Sequence, residues 1–389
     1  MLTDARFKFA LESLKKYMST EVKSTFFFSP HILYHNLLVI YFGTDGDSEG
    51  TLRKVLNIPD DASKGVIQQF YFNGGVSQFC YILSSRVPNS YTCRIYSRLL
   101  INENRVLYIE TMNLFSAGHQ VKEINFDFFP DYTRTFINSS IKVITQGCIQ
   151  DVMPRGTIDT KTDAILLNVI YCKGVLESGF EIDICEVTRK KRKTSFPLIK
   201  TFNIVFLDKI EQLGAYVVEL PYKQKKISTY FVIPLNFLDP TETSTQKNSL
   251  NELMDRLTTE EGIQALQRVL DNGSMDRTTV LYPILDITLS LNMHKLLNAM
   301  GLQEYTASGS GTMNEFTCNG IKLGEAVHRV NIKMTKRTVC ATAANVFYTK
   351  NSQTHKEIAA DTNTFVPSIC FIYDKVNRNI LFCGVLMRD

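Results

Sequence analysis

The chain has 389 residues, of which 44% are hydrophobic and 21% are charged, a composition that is ordinary for a folded protein and excludes a disordered one. No run of 18 or more apolar residues occurs, which argues against a membrane-spanning helix and a membrane partner. The net charge of +4 is too small to indicate a nucleic-acid partner by itself.

Linker composition, the N-terminal sequence and the cysteines indicate the domain organisation and the cellular compartment. The length allows two or three domains, but no linker rich in proline, glycine or serine divides the chain, so we expect one domain over residues 1–389. The N-terminus lacks the apolar stretch of a secretory signal peptide. Nine cysteines, an odd number without a CxxC pair, fit reduced and mostly buried thiols. We therefore expect a cytoplasmic protein, or one exported without a signal peptide.

The first third of the chain predicts mostly helices. Apolar residues at helical spacing predict a first helix, whose face consists of Phe7, Ala10, Leu11 and Leu14. A short buried strand, Phe26–Phe28, precedes a helix that Ser29 caps, with Pro30 in its first turn and its end near Gly43. A third amphipathic segment ends at Pro59. The pattern from about residue 60 to residue 89 is too weak to assign.

Strands dominate the rest of the chain. Ala164–Tyr171 is apolar at every position except Asn168, which is typical of a strand in the middle of a sheet. Further strands are predicted at 97–101, 120–126, 216–220, 228–233, 280–288, 330–334, 369–373 and 380–384. Helices are predicted around 108–115, 136–144, 250–257, 262–270 and 293–300. Helices and strands without regular alternation predict an α+β fold.

The segment from His328 to Pro367 is the most unusual part of the sequence. It opens like a buried strand and passes through the cations Lys336 and Arg337. It then becomes small and strand-compatible from Thr338 to Ala344, without proline or glycine. Polar residues without a helical period follow from Asn345 to Glu357. A loop of this length inside a compact domain is usually functional or disordered.

Two candidate sites, a histidine pair and two cysteines, have simpler explanations. His31 and His35 have the four-residue spacing of helical metal ligands, but no further ligand accompanies them, so we interpret them as helix-surface histidines and expect no metal. No nucleophile has a convincing histidine partner, and Cys172 and Cys370 lie in apolar strands, so we interpret them as inert core thiols and expect no cofactor.

One basic cluster is a candidate binding site. Five consecutive cations could bind a polyanion or act as a nuclear address, and they are Arg189, Lys190, Lys191, Arg192 and Lys193. A solvated loop or a lysine-bearing edge strand explains them more simply, and we favour that interpretation about two to one.

Short motifs in a fixed order resemble the serpin family over nearly the whole chain. These motifs are Phe26–Pro30, Gly43–Asp47, Asn168–Gly174, Glu219–Tyr222, Pro283, His328 and Asn379–Gly384. Each is short, but the combination is specific. The leaderless start resembles the intracellular, ovalbumin-like branch, and the degree of divergence resembles serpins of poxviruses or parasites.

The resemblance implies a monomer that is not itself an enzyme, with helices packed on three β-sheets and an exposed reactive-centre loop at about 336–366. A serine endopeptidase, or a cysteine one, would attack this loop and be trapped as an acyl-enzyme when the cut loop inserts as a strand. Counting from the hinge, residues 336–344, brackets the cut bond within Lys350, Asn351, Ser352 and Gln353. Lys350 before the bond implies a trypsin-like target, and Asn351 an asparagine-preferring one. Ser29, Asn168 and His328 match the family's polar cluster beneath the sheet.

Departures from the family pattern favour an alternative, a non-inhibitory binding or storage module. The usual Glu-Gly-Thr hinge reads Lys336–Thr338, and other family residues are replaced by Ile32, Leu176, Gly179 and Ser368. The hinge allows two registers. In one, Thr338, Cys340, Thr342 and Ala344 face inward; in the other, Val339, Ala341 and Ala343 do, followed by Asn345. Neither register buries Arg337 deeply, so insertion stays feasible.

Overall fold

The computed structural model describes residues 2–20, 24–73, 83–84, 90–116, 121–177, 180–189, 192–201, 205–235, 246–272, 276–278, 281–283, 285–306, 311–335, 337–349 and 367–387. The helices of this part are α1 Leu2–Ser19, α2 Pro30–Phe42, α3 Gly46–Val55, α4 Lys64–Asn73, α5 Ile109–Ser116, α6 Pro130–Ile144, α7 Gln246–Leu257, α8 Glu260–Asn272 and α9 Met293–Ala299.

The strands carry the architecture. They are β1 Phe26–Phe28, β2 Leu83–Ser84, β3 Tyr91–Asn102, β4 Val121–Ile124, β5 Ala164–Val175, β6 Phe180–Arg189, β7 Arg192–Thr201, β8 Val205–Ile210, β9 Ala215–Pro221, β10 Ile227–Pro234, β11 Asp276–Thr278, β12 Leu281–Pro283, β13 Asp286–Leu291, β14 Thr312–Met313, β15 Ile321–Lys322, β16 Glu325–Met334, β17 Thr338–Tyr348, β18 Ser368–Asp374 and β19 Asn379–Leu386.

Three larger sheets organise the described strands. The central sheet has the order β13-β16-β17-β5-β3-β2, with β4 pairing in parallel with β3. A second sheet has the order β1-β19-β18-β10-β9-β8-β11, and a third has the order β12-β7-β6. This is the predicted α+β architecture with helices on three sheets, and the apolar segment that begins at Ala164 is an interior strand of the central sheet, as predicted.

Two buried layers cover the two faces of the central sheet. On one face, Ile170 and Val330 pack with Phe231 and Ile372 of the second sheet. On the other face, Ile137 and Ile141 of α6 pack with Leu167, Ala344 and Val346. The amphipathic helix α6 therefore covers one face of the central sheet. The strand β17 contributes side chains to both layers.

The predicted helix α2 shows why its local sequence folds as it does. Ser29 is its N-cap and accepts a hydrogen bond of 3.4 Å from the Ile32 N–H, Pro30 occupies the first turn, and Gly43 is the C-cap. A Cβ on Gly43 would lie 2.7 Å from the Met313 Cβ, so a larger residue would not fit there. Every residue of α2 is buried, so this helix lies inside the protein.

Several expectations from sequence are wrong in detail. Residues 64–73 form α4, although their pattern is weak. The strand predicted at 280–288 is two strands in different sheets, because Pro283 has no N–H to continue a ladder. His31 and His35 are buried rather than on a helix surface. The strand that begins at Thr338 continues through Asn345 to Tyr348, where a polar loop was expected.

Candidate functional site

The strand β17 lies in the middle of the central sheet. Thr338 pairs with Val175 and Tyr348 with Ile165, so β17 runs antiparallel to the whole of β5. On its other side it pairs antiparallel with β16, from Met334–Val339 to Glu325–Tyr348. The segment that resembles the first part of a reactive loop is thus hydrogen-bonded on both edges.

Small side chains let β17 fit between its neighbours. Val339, Ala341 and Ala343 face the layer shared with the second sheet and are at most 1% exposed. The alternate residues Ala344 and Val346 face α6. Of the two registers open from the sequence, the structure has the one in which Val339, Ala341 and Ala343 face inward, followed by Asn345.

The turn before β17 keeps its cation in solvent. Thr335 and Thr338 close the turn, with the Thr335 N–H donating to the Thr338 carbonyl at 2.8 Å and their hydroxyls 2.9 Å apart. Arg337 is exposed between them, and its carbonyl accepts from the Leu176 N–H at 2.9 Å. Lys336 lies outside the described residues. The cation that could have blocked insertion is therefore not buried.

Four polar residues form a row across four adjacent strands of the central sheet. Ser97 of β3 is opposite Asn168 of β5, Asn168 is opposite Asn345 of β17, and Asn345 is opposite His328 of β16. All four lie on the face toward α2 and are at most 5% exposed. Asn168 and His328, two members of the predicted cluster, are thus separated by Asn345 of β17.

Ser29 and His328 are joined directly. The Ser29 N–H donates to Nε2 of His328 at 3.1 Å, and the Ser29 hydroxyl donates to the Leu381 carbonyl at 2.6 Å. Because Nε2 accepts, the ring proton lies on Nδ1, which has no hydrogen-bond partner among the described residues. Burial disfavours the imidazolium and lowers the pKa of His328 to about 3, so the ring is neutral.

A chain of amides joins α2 to the row. The Ser97 hydroxyl donates to Asn168, and the Asn168 amide donates to Oδ1 of Asn36. Nδ2 of Asn36 then donates to Oδ1 of Asn345 at 2.5 Å, and Nδ2 of Asn345 donates to the Val327 carbonyl at 3.2 Å. Asn36, Asn345 and Ser97 were missed from sequence. The signal for Asn345 was its position two residues after Ala343, on the inward side of the alternation.

The other predicted site residues lie elsewhere. Nδ1 of His31 is 3.0 Å from Nδ2 of Asn379, and Nε2 of His35 is 3.0 Å from the Tyr71 hydroxyl. Among the described residues, no group of three metal-ligating side chains occurs. Cys172 and Cys370 are buried, and the pKa of each thiol is raised, mainly by a hydrogen bond with Cys93 that favours the protonated thiol of Cys172, and by burial at Cys370.

The basic cluster lies at the end of a hairpin. Arg189, the last residue of β6, pairs with Arg192, the first residue of β7, and Lys193 pairs with Thr188. Lys190 and Lys191 lie outside the described residues, as do Lys350, Asn351, Ser352 and Gln353. In the described part of the chain, none of the helices is both long and apolar enough to cross a bilayer.

Known proteins of similar sequence are serpins. The chain is 24% identical to Serine protease inhibitor 88Ea of Drosophila melanogaster, over 97% of this chain and 88% of that protein. It is 22% identical to Serpin B3 of Homo sapiens and 23% identical to leukocyte elastase inhibitor A of Rattus norvegicus, in each case over 98% of both chains.

Solved structures agree with these relatives on the fold. Cleaved Serpin 42Da matches with a TM-score of 0.74 at 17% identity, over 100% of this chain and 98% of that one. A loop-inserted, cleaved ovalbumin mutant matches with a TM-score of 0.73 at 17% identity, over 99% of each chain. The family model described as Serpin (serine protease inhibitor) matches residues 4–388. Because this match spans nearly the whole chain, the protein belongs to the serpin family, as its motifs predict.

Proposed function

We propose that this serpin inhibits a serine endopeptidase, or a cysteine one, as a single-use substrate. The enzyme's nucleophilic oxygen or sulfur attacks the carbonyl carbon of a loop peptide bond, the C–N bond breaks, and the new amine leaves with a proton. The loop residue remains joined to the enzyme as an ester or thioester. Insertion of the loop before water attacks this ester traps the enzyme. Serpins are generally protease inhibitors rather than catalysts.

The observation that carries this proposal is the slot that β17 fills between β5 and β16. The strand has 11 residues, and at about 3.3 Å per residue its insertion moves the chain end by about 35 Å along the sheet. An enzyme attached after Tyr348 would travel from the Val175 end of β5 to the Ile165 end. That displacement supports distortion of an enzyme against the far end of the molecule.

The energetics of the inserted strand also favour the proposal. Burial of an unpaired Arg337 would cost several kcal/mol, but its side chain is exposed. Each cross-strand pair of β17 stabilises the inserted form by about 0.2 to 1 kcal/mol, and the strand forms such pairs on both edges. In addition, Ile32 and Leu176, two departures from the family pattern, are buried in the same apolar layer as Val339.

We further propose that the cut bond lies within residues 350–353 and that Lys350 precedes it, which makes the target trypsin-like. We expect an SDS-resistant complex between the protein and trypsin. Mass spectrometry should show that the released fragment begins at Asn351. Lys350→Ala should abolish this complex. The matched control, Lys356→Ala, removes a lysine of the same segment and should leave it intact.

The alternative is a binding or storage module that no longer inhibits. Its motivation is the unusual hinge, Lys336–Thr338, together with Ile32 and Leu176. Clean cleavage without complex across a panel of serine and cysteine endopeptidases would favour it. A melting temperature that does not change after cleavage would also favour this alternative. A cut loop that inserts as a strand should raise the melting temperature, so the absence of a rise indicates that the loop has not inserted.

A further inference from the structure

The buried amide of Asn36 is placed to receive one particular residue of the inserted loop. Asn36 lies on α2, all of whose residues are buried, and its Nδ2 donates to both Oδ1 and the backbone carbonyl of Asn345, at 2.5 Å and 3.4 Å. Within the described part of the chain, these are the acceptors of Nδ2. When β17 is outside the sheet, both acceptors leave with it.

The partner is equally specific to this position. Asn345 is fully buried, and it is the inward-facing residue of β17 that carries an amide, after Val339, Ala341 and Ala343. Its Oδ1 accepts from Asn36 and its Nδ2 donates to the Val327 carbonyl, so both ends of the amide are used. The fit is therefore fixed in orientation as well as in position.

A shift in register would break this fit. If β17 moved by one residue, Ala344 or Val346 would lie opposite Asn168, and the inward and outward faces of the whole strand would exchange. If it moved by two, Ala343 or Phe347 would lie opposite Asn168 and beside Asn36. In each case the buried Nδ2 of Asn36 loses its side-chain acceptor at 2.5 Å, the Oδ1 of Asn345, which is costly in an apolar interior.

Insertion depth is set by the same contact. Thr338 to Ala344 precede Asn345 in β17, so the amide of Asn36 is satisfied only after seven residues have entered the sheet. A loop that stops earlier leaves Asn36 without this partner, although Ala341 and Ala343 are already in the apolar layer.

From these contacts we infer that Asn36 is a positioning residue that fixes the register and depth of loop insertion by receiving the Asn345 amide. The inference rests on the proposed function, because it assigns a step within loop insertion. Asn36 lies outside the sequence motifs of the family. With Asn36 included, the polar cluster contacts a specific residue of the loop and does not only join neighbouring strands.

A double-mutant cycle tests this inference on the full chain. The variants are Asn36→Ala, Asn345→Ala and the double variant, each measured uncut and after cleavage in residues 350–366 by a protease of broad specificity. We expect each single variant to reduce the rise in melting temperature on cleavage by about 1 to 4 °C, and the double variant to lose no more than either single one. The uncut proteins should show no such coupling.

Two controls separate the possible outcomes. Thr342→Ala removes a buried hydroxyl of the same strand that has no partner among the described residues, so it should leave the rise unchanged. Asn345→Ala alters the loop itself, so it can be tested even if Asn36→Ala does not fold. Additive losses of melting temperature in the cut protein, or the same coupling in the uncut protein, would overturn the inference but not the proposed inhibition. Coupling in the cut protein without an inhibitory complex would overturn only the proposed inhibition. If cleavage does not raise the melting temperature of the unmodified protein, both are overturned.

Discussion

The backbone N–H of Ser29 donates a hydrogen bond of 3.1 Å to Nε2 of His328, which ties the start of α2 to the central sheet. The ring also packs edge-on against Phe28, with centroids 6.3 Å apart. Both sides of this contact are fully buried, so neither group can turn to water if the other is removed.

We expect His328→Phe to destabilise the protein by about 1 to 3 kcal/mol, because the buried Ser29 N–H loses its acceptor while the ring volume is kept. His328→Ala should cost more, since it also leaves a cavity. Denaturant midpoints of the three proteins measure both effects. Equal stability of His328→Phe and the unmodified protein would show that the hydrogen bond contributes nothing.

The stability of the protein should fall in mild acid. Burial lowers the pKa of His328 and of His35 to about 3 and also lowers the pKa of His31. Below about pH 6.5 the unfolded chain binds protons at these positions that the folded chain does not bind, and for His328 and His35 this difference persists to about pH 3. The free energy of unfolding therefore decreases as pH falls through this window, by about 1.4 kcal/mol per pH unit for each histidine. Urea unfolding between pH 7.5 and pH 4 measures the slope, and His328→Phe should reduce it by one histidine's share.

The position of a cation in the hinge should decide whether the loop inserts. Arg337→Gly should change the melting temperature of the cut protein little, because surface substitutions usually stay within about 0.5 kcal/mol. Val339→Arg, two residues further on, places a cation where the side chain is 1% exposed and should abolish the rise on cleavage. Calorimetry before and after cleavage compares the two. An equal rise in both variants would contradict the observed facing of β17.

Cys340 should report insertion chemically. In the inserted strand, burial and the nearby Cys148 raise the pKa of the Cys340 thiol to about 12, so little thiolate is present at pH 8. Alkylation of Cys340 should therefore be about a hundredfold slower, or more, in the cut protein than in the uncut one. Cys318 is exposed and serves as the internal control in peptide mapping. Similar rates at Cys340 before and after cleavage would be inconsistent with burial on insertion.

The basic hairpin is testable on a heparin column. If the cations at 189–193 bind a polyanion, the protein should be retained at low salt and released as salt is added, because screening weakens each contact. Replacing Arg189 and Arg192 with glutamate should remove retention. Failure of the unmodified protein to bind at low salt would end the polyanion interpretation.

Strong local signals made much of the fold predictable. The first eight residues of β5 are apolar except for Asn168, and α2 has a serine cap, an early proline and a terminal glycine, so each has a single consistent interpretation. By contrast, Ile67 and Tyr71 are the only fully buried residues among the α4 side chains that the structure describes, and one such pair gives a weak helical period.

The amide chain could not be predicted for a different reason. Because α2 is buried on all sides, its sequence does not tell which direction Asn36 faces. The sequence predicts Asn345 at the start of a polar loop. Its hydrogen-bond partners lie on α2 and β16, far away in the sequence, so no local pattern indicates that it is buried. Only the register between β17 and its neighbours brings these groups together.

The tight turn from Thr335 to Thr338 joins β16 to β17 without a long connection, and this gives insertion a direction. The first contact closes a very short loop at little entropic cost, and each later residue joins two hydrogen-bonded edges beside one that is already in place. Insertion can therefore proceed one residue after another from Thr338 toward Tyr348. Withdrawal of the complete strand must break its hydrogen bonds to both neighbouring strands. Under the proposed function, each molecule would insert its loop only once, so the number of intact molecules would limit how much protease is trapped.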